Sequence, residues 1–162
     1  MNEQTLYQTH KAELVASALA FWPTASAETL AAAFDHWLGK TIDFKDFAAI
    51  YQAVAGELPP QDYDSTPEKG FFDEYLASDR SAVDKAVATL MALAKNNGMY
   101  KRNTAAALVA ANAILYAADA GLVIISPADA ETFTETIRMH YVRDHVAITN
   151  HIKQDYMLSP TA

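Results

Sequence analysis

The chain is predicted to fold as one all-α domain, a bundle of seven to eight helices, from three observations. Alanine is abundant, whereas Gly (5) and Pro (6) are scarce among 162 residues; alanine has the highest helix propensity and those two the lowest. Apolar residues recur three and four apart along most of the chain, the period that places them on one helix face. Between these periodic segments lie short breaks rich in Gly, Pro, Asn and Asp, the residues that stop and restart helices. The length fits a single domain over 1–162.

Taken in order, the first helix is expected over 3–20, with Leu6, His10, Leu14 and Ala18 at helical spacing and Phe21-Trp22-Pro23 ending it. Ser26 has the hydroxyl of an N-cap, Leu30, Phe34, Trp37 and Leu38 form an apolar face, and Gly39 is the stop. Asp43 is expected to cap a third helix carrying Phe44, Phe47, Ile50, Tyr51 and Val54 and ending at Gly56. Residues 57–64, with Pro59-Pro60, read as a loop. Thr66-Pro67 reads as an N-cap followed by proline at the first helical position. Ser81 and Asp84 have capping-box spacing ahead of Val83, Val87, Leu90, Met91 and Ala94, and Asn96-Asn97-Gly98 breaks that helix. The next is expected over 103–120, stopped by Gly121. Leu122 to Ile125 is the one β-like run, expected as an extended connector outside any sheet. Ser126-Pro127-Ala128-Asp129 starts a helix through Phe133, Ile137 and Tyr141, and a last one over 144–156 carries Val146, Ile148, Ile152 and Tyr156.

Composition excludes several functions. A net charge of −8 opposes general nucleic-acid binding, which needs basic surface against phosphates. The chain has no cysteine, which removes disulfides, thiolate catalysis and Cys-based metal sites. The most apolar stretch, 104–118, is interrupted by Asn112 and falls short of the roughly 20 residues that cross a bilayer. The first residues lack the basic and apolar regions of a signal peptide. A cytoplasmic protein with neither nucleic-acid nor membrane partners is therefore expected.

One break has a distinct charge pattern. No Asp or Glu occurs from 85 to 118, in a chain with 20 of them, and within that window stand Lys95, Lys101 and Arg102, followed by Asn103 and Thr104 at a helix start. Helix N-termini present unpaired N–H groups and the positive end of the macrodipole. Asn97, Lys101, Arg102, Asn103 and Thr104 are accordingly the candidate residues for an anion or phosphate. On charge alone, a solvated loop between two core helices is the favoured reading.

The same segment carries a resemblance. Ala88-Thr89-Leu90-Met91-Ala92-Leu93-Ala94-Lys95-Asn96 is similar to the helix leading into the motif loop of the Fic/Doc family. That loop reads His-Pro-Phe-x-Asp/Glu-Gly-Asn-Gly/Lys-Arg. Downstream, Gly121 through Phe133 resembles the family's glycine, aliphatic run and proline-led helix, and Tyr141 through Ile148 the turn into its last helix. The order spans about 70 residues, within a Fic/Doc-like core over about 66–157. The resemblance implies transfer of AMP, or in Doc-like members phosphate, to a protein hydroxyl, in a toxin–antitoxin-like setting.

The motif itself departs from the family. Without gaps, Asn97 stands at the histidine, Met99 at the phenylalanine, Lys101 at the acidic Mg²⁺-binding position and Arg102 at a glycine; Asn103 keeps the asparagine and Ala105 replaces the arginine. A shift of three residues puts Arg102 on the arginine but Ala94 on the histidine. Asn cannot act as a general base, a contribution of about 10²–10⁴-fold, and Lys101 repels a cation that needs oxygen ligands. The expectation is a pseudoenzyme with no catalytic residue and no metal. It would bind a nucleotide or phosphate, or a protein partner or second copy of itself. A plain helical interaction module and a residual transferase remain as alternatives.

Other candidates are weaker. His140, His145 and His151 stand five and six apart, which does not share a helix face as i,i+4 ligands do. Thr24 through Glu28 faintly resembles an inhibitory helix of some Fic proteins, but a plain N-cap with an acidic first turn explains it. Phe71, Phe72 and Tyr75 are either a partner patch or core, and Asn112 is expected to donate to a backbone carbonyl.

Overall fold

The computed structural model describes residues 2–43, 45–57, 68–94, 103–140 and 144–159. They form eight α-helices and one two-stranded ladder, an all-α bundle as composition and periodicity predict.

Helix α1 (Glu3–Phe21) starts at Asn2, whose side chain accepts from the Thr5 N–H at 2.8 Å. Helix α2 (Ala27–Trp37) starts at Ser26, whose hydroxyl accepts from the Thr29 N–H at 3.0 Å, the cap read from sequence. Gly39 follows at φ +89°, a conformation open to glycine, and an added Cβ would meet the Tyr116 ring at 3.4 Å. Helix α3 (Asp46–Ala55) begins later than Asp43, yet Asp43 serves it: its carboxylate accepts from the Asp46 N–H at 3.3 Å while Asp46 accepts from the Asp43 N–H at 2.9 Å. Gly56 closes α3 in the left-handed conformation. The expected loop and N-cap over 58–67, and the side chains of Phe71 and Phe72, lie outside the described residues.

Helix α4 (Glu68–Ala77) leads to α5 (Ala82–Ala94). Ser81 accepts from the Asp84 N–H at 3.1 Å, the forward half of the expected capping box. The Asp84 carboxylate accepts from Lys153 Nζ at 2.6 Å. Helix α6 (Asn103–Ala117) is the centre of the molecule. It packs on α1, α2, α3 and, most extensively, α5, and its residues from Asn103 to Ala113 are all buried. A helix apolar all round must be enclosed.

Helix α6 ends three residues earlier than expected. Asp119, at φ +52°, takes the left-handed position instead of Gly121, and the N–H groups of Asp119 and Ala120 bond the carbonyls of Tyr116 and Leu115. This pattern is a Schellman cap. The apolar run after Gly121 also differs from expectation, because Leu122–Val123 (β1) pairs antiparallel with Met157–Leu158 (β2). The partner strand is the chain's last described segment, invisible to local pattern. Asn112 holds β1 on α6: its amide donates to the Leu108 and Val123 carbonyls at 2.8 and 3.0 Å and accepts from the Val123 N–H at 2.8 Å. Ser17 accepts from the Ile125 N–H at 3.0 Å, fastening the connector to α1.

A 3-10 turn (Pro127–Asp129) opens α7 (Ala130–His140), and α8 (His145–Asp155) completes the bundle. Phe133, Ile137, Ile148, Ile152 and Tyr156 are buried as expected, but Val146 is 70% exposed and does not belong to the core face. No helix among the described residues is long and apolar enough to cross a membrane.

Candidate functional site

The break between α5 and α6 holds the expected anion residues. Asn97, Lys101 and Arg102 lie outside the described residues. Asn103 and Thr104 begin α6, and both are 1% exposed. They are therefore walls of the core, not surface groups.

Asn103 is chemically unusual. Neither its Oδ1 nor its Nδ2 has a hydrogen-bond partner. An unsatisfied buried amide costs about 1–3 kcal/mol, and most buried side-chain polar atoms are bonded. Asn112, two and a half turns along the same helix, shows the ordinary outcome, with all of its amide chemistry used on backbone groups. Asn103 thus offers one donor group and one acceptor at the positive end of the central helix. Thr89 on α5 and Trp37 also keep a buried polar atom without a partner.

Of the remaining polar contacts, one group ties α1 to α2 and another lies within α8. Tyr7 donates to Asp35 at 2.6 Å and Lys11 donates to the other oxygen of Asp35 at 2.8 Å, tying α1 to α2. Lys11 and then Tyr7 lower the Asp35 pKa by these bonds; burial and then the Asp35 bond raise that of Tyr7. His151 pairs with Asp155 at 2.6 Å and meets the Tyr156 ring edge-on. The side chains of His140 and His145 lie outside the described residues, and those described include no group of three metal-ligating residues.

Two cavities of opposite character flank the core. One, of about 400 Å³, includes Glu13, Asp129 and Asp155 in its wall. The other, of about 320 Å³, is lined by Lys40, Arg80 and Lys85 over an apolar wall of Ile42, Leu76 and Ile114. It sits where the start of α5 meets the end of α6, the opposite end of the helix pair from Asn103. Sequence reasoning missed it, because its three cations come from the connector after α2, the turn before α5 and the first turns of α5. Only the absence of carboxylates from 85 onward hinted at that region.

No family model, no characterised protein and no solved structure matches this chain.

Proposed function

We infer that the chain is a degenerate Fic/Doc-like domain that binds a phosphate-bearing ligand, or a protein partner, without transferring AMP or phosphate. The observation that carries this reading is Asn103, fully buried with its amide unpartnered at the head of the central helix. This is the position at which the resemblance keeps the family's asparagine. A polar group held in that state at a helix N-terminus suits a ligand oxygen. The candidate residues are Asn97, Lys101, Arg102, Asn103 and Thr104. With Asn97 in place of the motif histidine and Lys101 in place of the acidic residue, those two motif positions supply neither a general base nor an Mg²⁺ ligand.

Calorimetry with ATP, ADP and AMP at millimolar concentration tests the ligand, with heat expected for the intact chain and lost in Asn103→Leu. Absence of heat for all three nucleotides removes the ligand part. Labelled ATP incubated with the chain and cell lysate is expected to leave no protein labelled; labelling would favour residual transferase activity.

A second reading, a helical interaction module, is favoured by the shallow apolar groove between α1 and α2. Val15, Leu19 and Ala31 form its floor, and Lys11 and Glu28 flank it. That reading expects a stable oligomer on sizing and no nucleotide binding.

A further inference from the structure

Charge is not spread evenly over this acidic chain. Among the described residues, Lys11, Arg138 and Lys153 each pair with a carboxylate. Lys40, Lys45, Arg80 and Lys85 make no ion pair. Three of those four line the single cavity of about 320 Å³ between the connector after α2, the turn before α5 and the end of α6. In a protein of net charge −8, unpaired cations gathered at one concave place form a local field opposite to that of the whole molecule.

The cavity draws its wall from three segments of the chain. Gly39, at φ +89°, turns the chain so that the segment starting at Lys40 lies along α6, and the Tyr116 ring fills the space beside it. Lys40 lies over the Trp37 ring at 5.5 Å and bonds His36 at 3.0 Å. Arg80 lies over the Tyr75 ring at 5.0 Å. A guanidinium attracted to a ring face keeps its N–H groups available for an anion. Lys85 is half-buried on α5. Ile42, Leu76 and Ile114 supply an apolar wall. Asp84 is an opposing charge within Arg80's reach, since Arg80 contributes to lowering its pKa, but its carboxylate is bonded to Lys153. The antiparallel pair puts the positive end of α5 beside the negative end of α6, so the two helix dipoles oppose each other there. The three side-chain cations decide the sign.

We propose that this cavity binds a small organic dianion, a phosphate monoester carrying an apolar group, with Arg80, Lys40 and Lys85 on the phosphate and Ile42, Leu76 and Ile114 against the apolar group. Three cations match a dianion with one charge to spare, and the volume fits a body of one ring and not a long chain. The site is separate from the Asn103 end of the helix pair, and either can fail without the other.

Phenyl phosphate, inorganic phosphate and phenol, titrated into the chain with isoleucine and leucine methyls observed by NMR, test this. Phenyl phosphate is expected to shift Ile42, Leu76 and Ile114, to bind more tightly than inorganic phosphate, and to weaken as salt rises. Phenol is expected not to bind there. Arg80→Gln is expected to weaken phenyl phosphate about tenfold and Lys85→Gln about threefold, with unchanged thermal unfolding because neither side chain holds the fold together. No methyl shift up to about 10 mM ligand overturns the proposal. So do an affinity unaltered in the Arg80→Gln/Lys85→Gln double variant and equal binding of phenyl phosphate and inorganic phosphate. Shifts confined to the methyls of Leu93, at the Asn103 end of the helix pair, would also overturn it, placing the anion there.

Discussion

Lys153 on α8 donates to Asp84 on α5 across 2.6 Å, closing the last helix onto the first turn of the helix that leads into the core pair. The bond with Lys153 is the main cause holding the Asp84 pKa below the usual carboxylate range. Its contribution to stability is therefore complete above about pH 3.9 and is lost as the pH falls through the depressed folded value. Lys153→Gln is expected to cost less than about 1 kcal/mol at neutral pH, since both partners are partly solvated. It should also move the acid unfolding midpoint upward. Circular dichroism against pH checks both, and an unchanged acid midpoint would remove this account of the pair.

Tyr7 is expected to reveal itself at alkaline pH. Its pKa is raised, by burial first and then by the Asp35 bond. The folded state therefore keeps the phenol protonated, and the stability this supplies is present below about pH 10 and lost as the pH rises toward the folded value. Tyr7→Phe should cost about 1 kcal/mol at pH 7 and flatten the alkaline fall in stability, read by urea unfolding at several pH values.

The two buried asparagines of α6 should respond oppositely to the same change. Asn112→Leu strands the Val123 N–H and its carbonyl in the core and is expected to cost about 2–4 kcal/mol. Asn103→Leu removes an amide that has no partner and is expected to be neutral or stabilising by up to about 2 kcal/mol. It should also abolish nucleotide heat. A loss of stability at 103 as large as at 112 would mean that Asn103 holds the fold together, and would withdraw it as a binding group.

Asp119 occupies the left-handed position of the α6 cap at φ +52°. Glycine takes that conformation without the Cβ penalty, so Asp119→Gly is expected to raise stability by about 0.5–1 kcal/mol. A lower thermal midpoint for this variant would show that the carboxylate has a role in the cap.

Local chemistry made much of the architecture readable. The Ser26 cap, the Ser81 hydroxyl on α5, and Gly39 and Gly56 as stops all depend on contacts within a few residues. Patterns of that range survive in a linear string. The misplacements have a common cause. Gly121 looked like the stop of α6, but the hydrogen bonds closed two residues earlier on Asp119; Val146 kept the helical period yet is 70% exposed.

Sites followed the same division. Asn103 was legible as a helix-start residue next to basic neighbours, whereas its complete burial and idle amide depend on the helices packed around α6. Lys40, Arg80 and Lys85 share no motif, being brought to one cavity by packing.

By itself, then, the sequence determined that this chain is a helical bundle with one enclosed central helix and a charge pattern that sets the α5–α6 segment apart. Helix propensity, caps and apolar period act over a handful of residues, and those the chain states openly. Only the tertiary structure decided which polar groups are satisfied, that the run after Gly121 meets a strand at the far end of the chain, and that unpaired cations from three segments face one another. Burial and electrostatics are sums over neighbours distant in sequence.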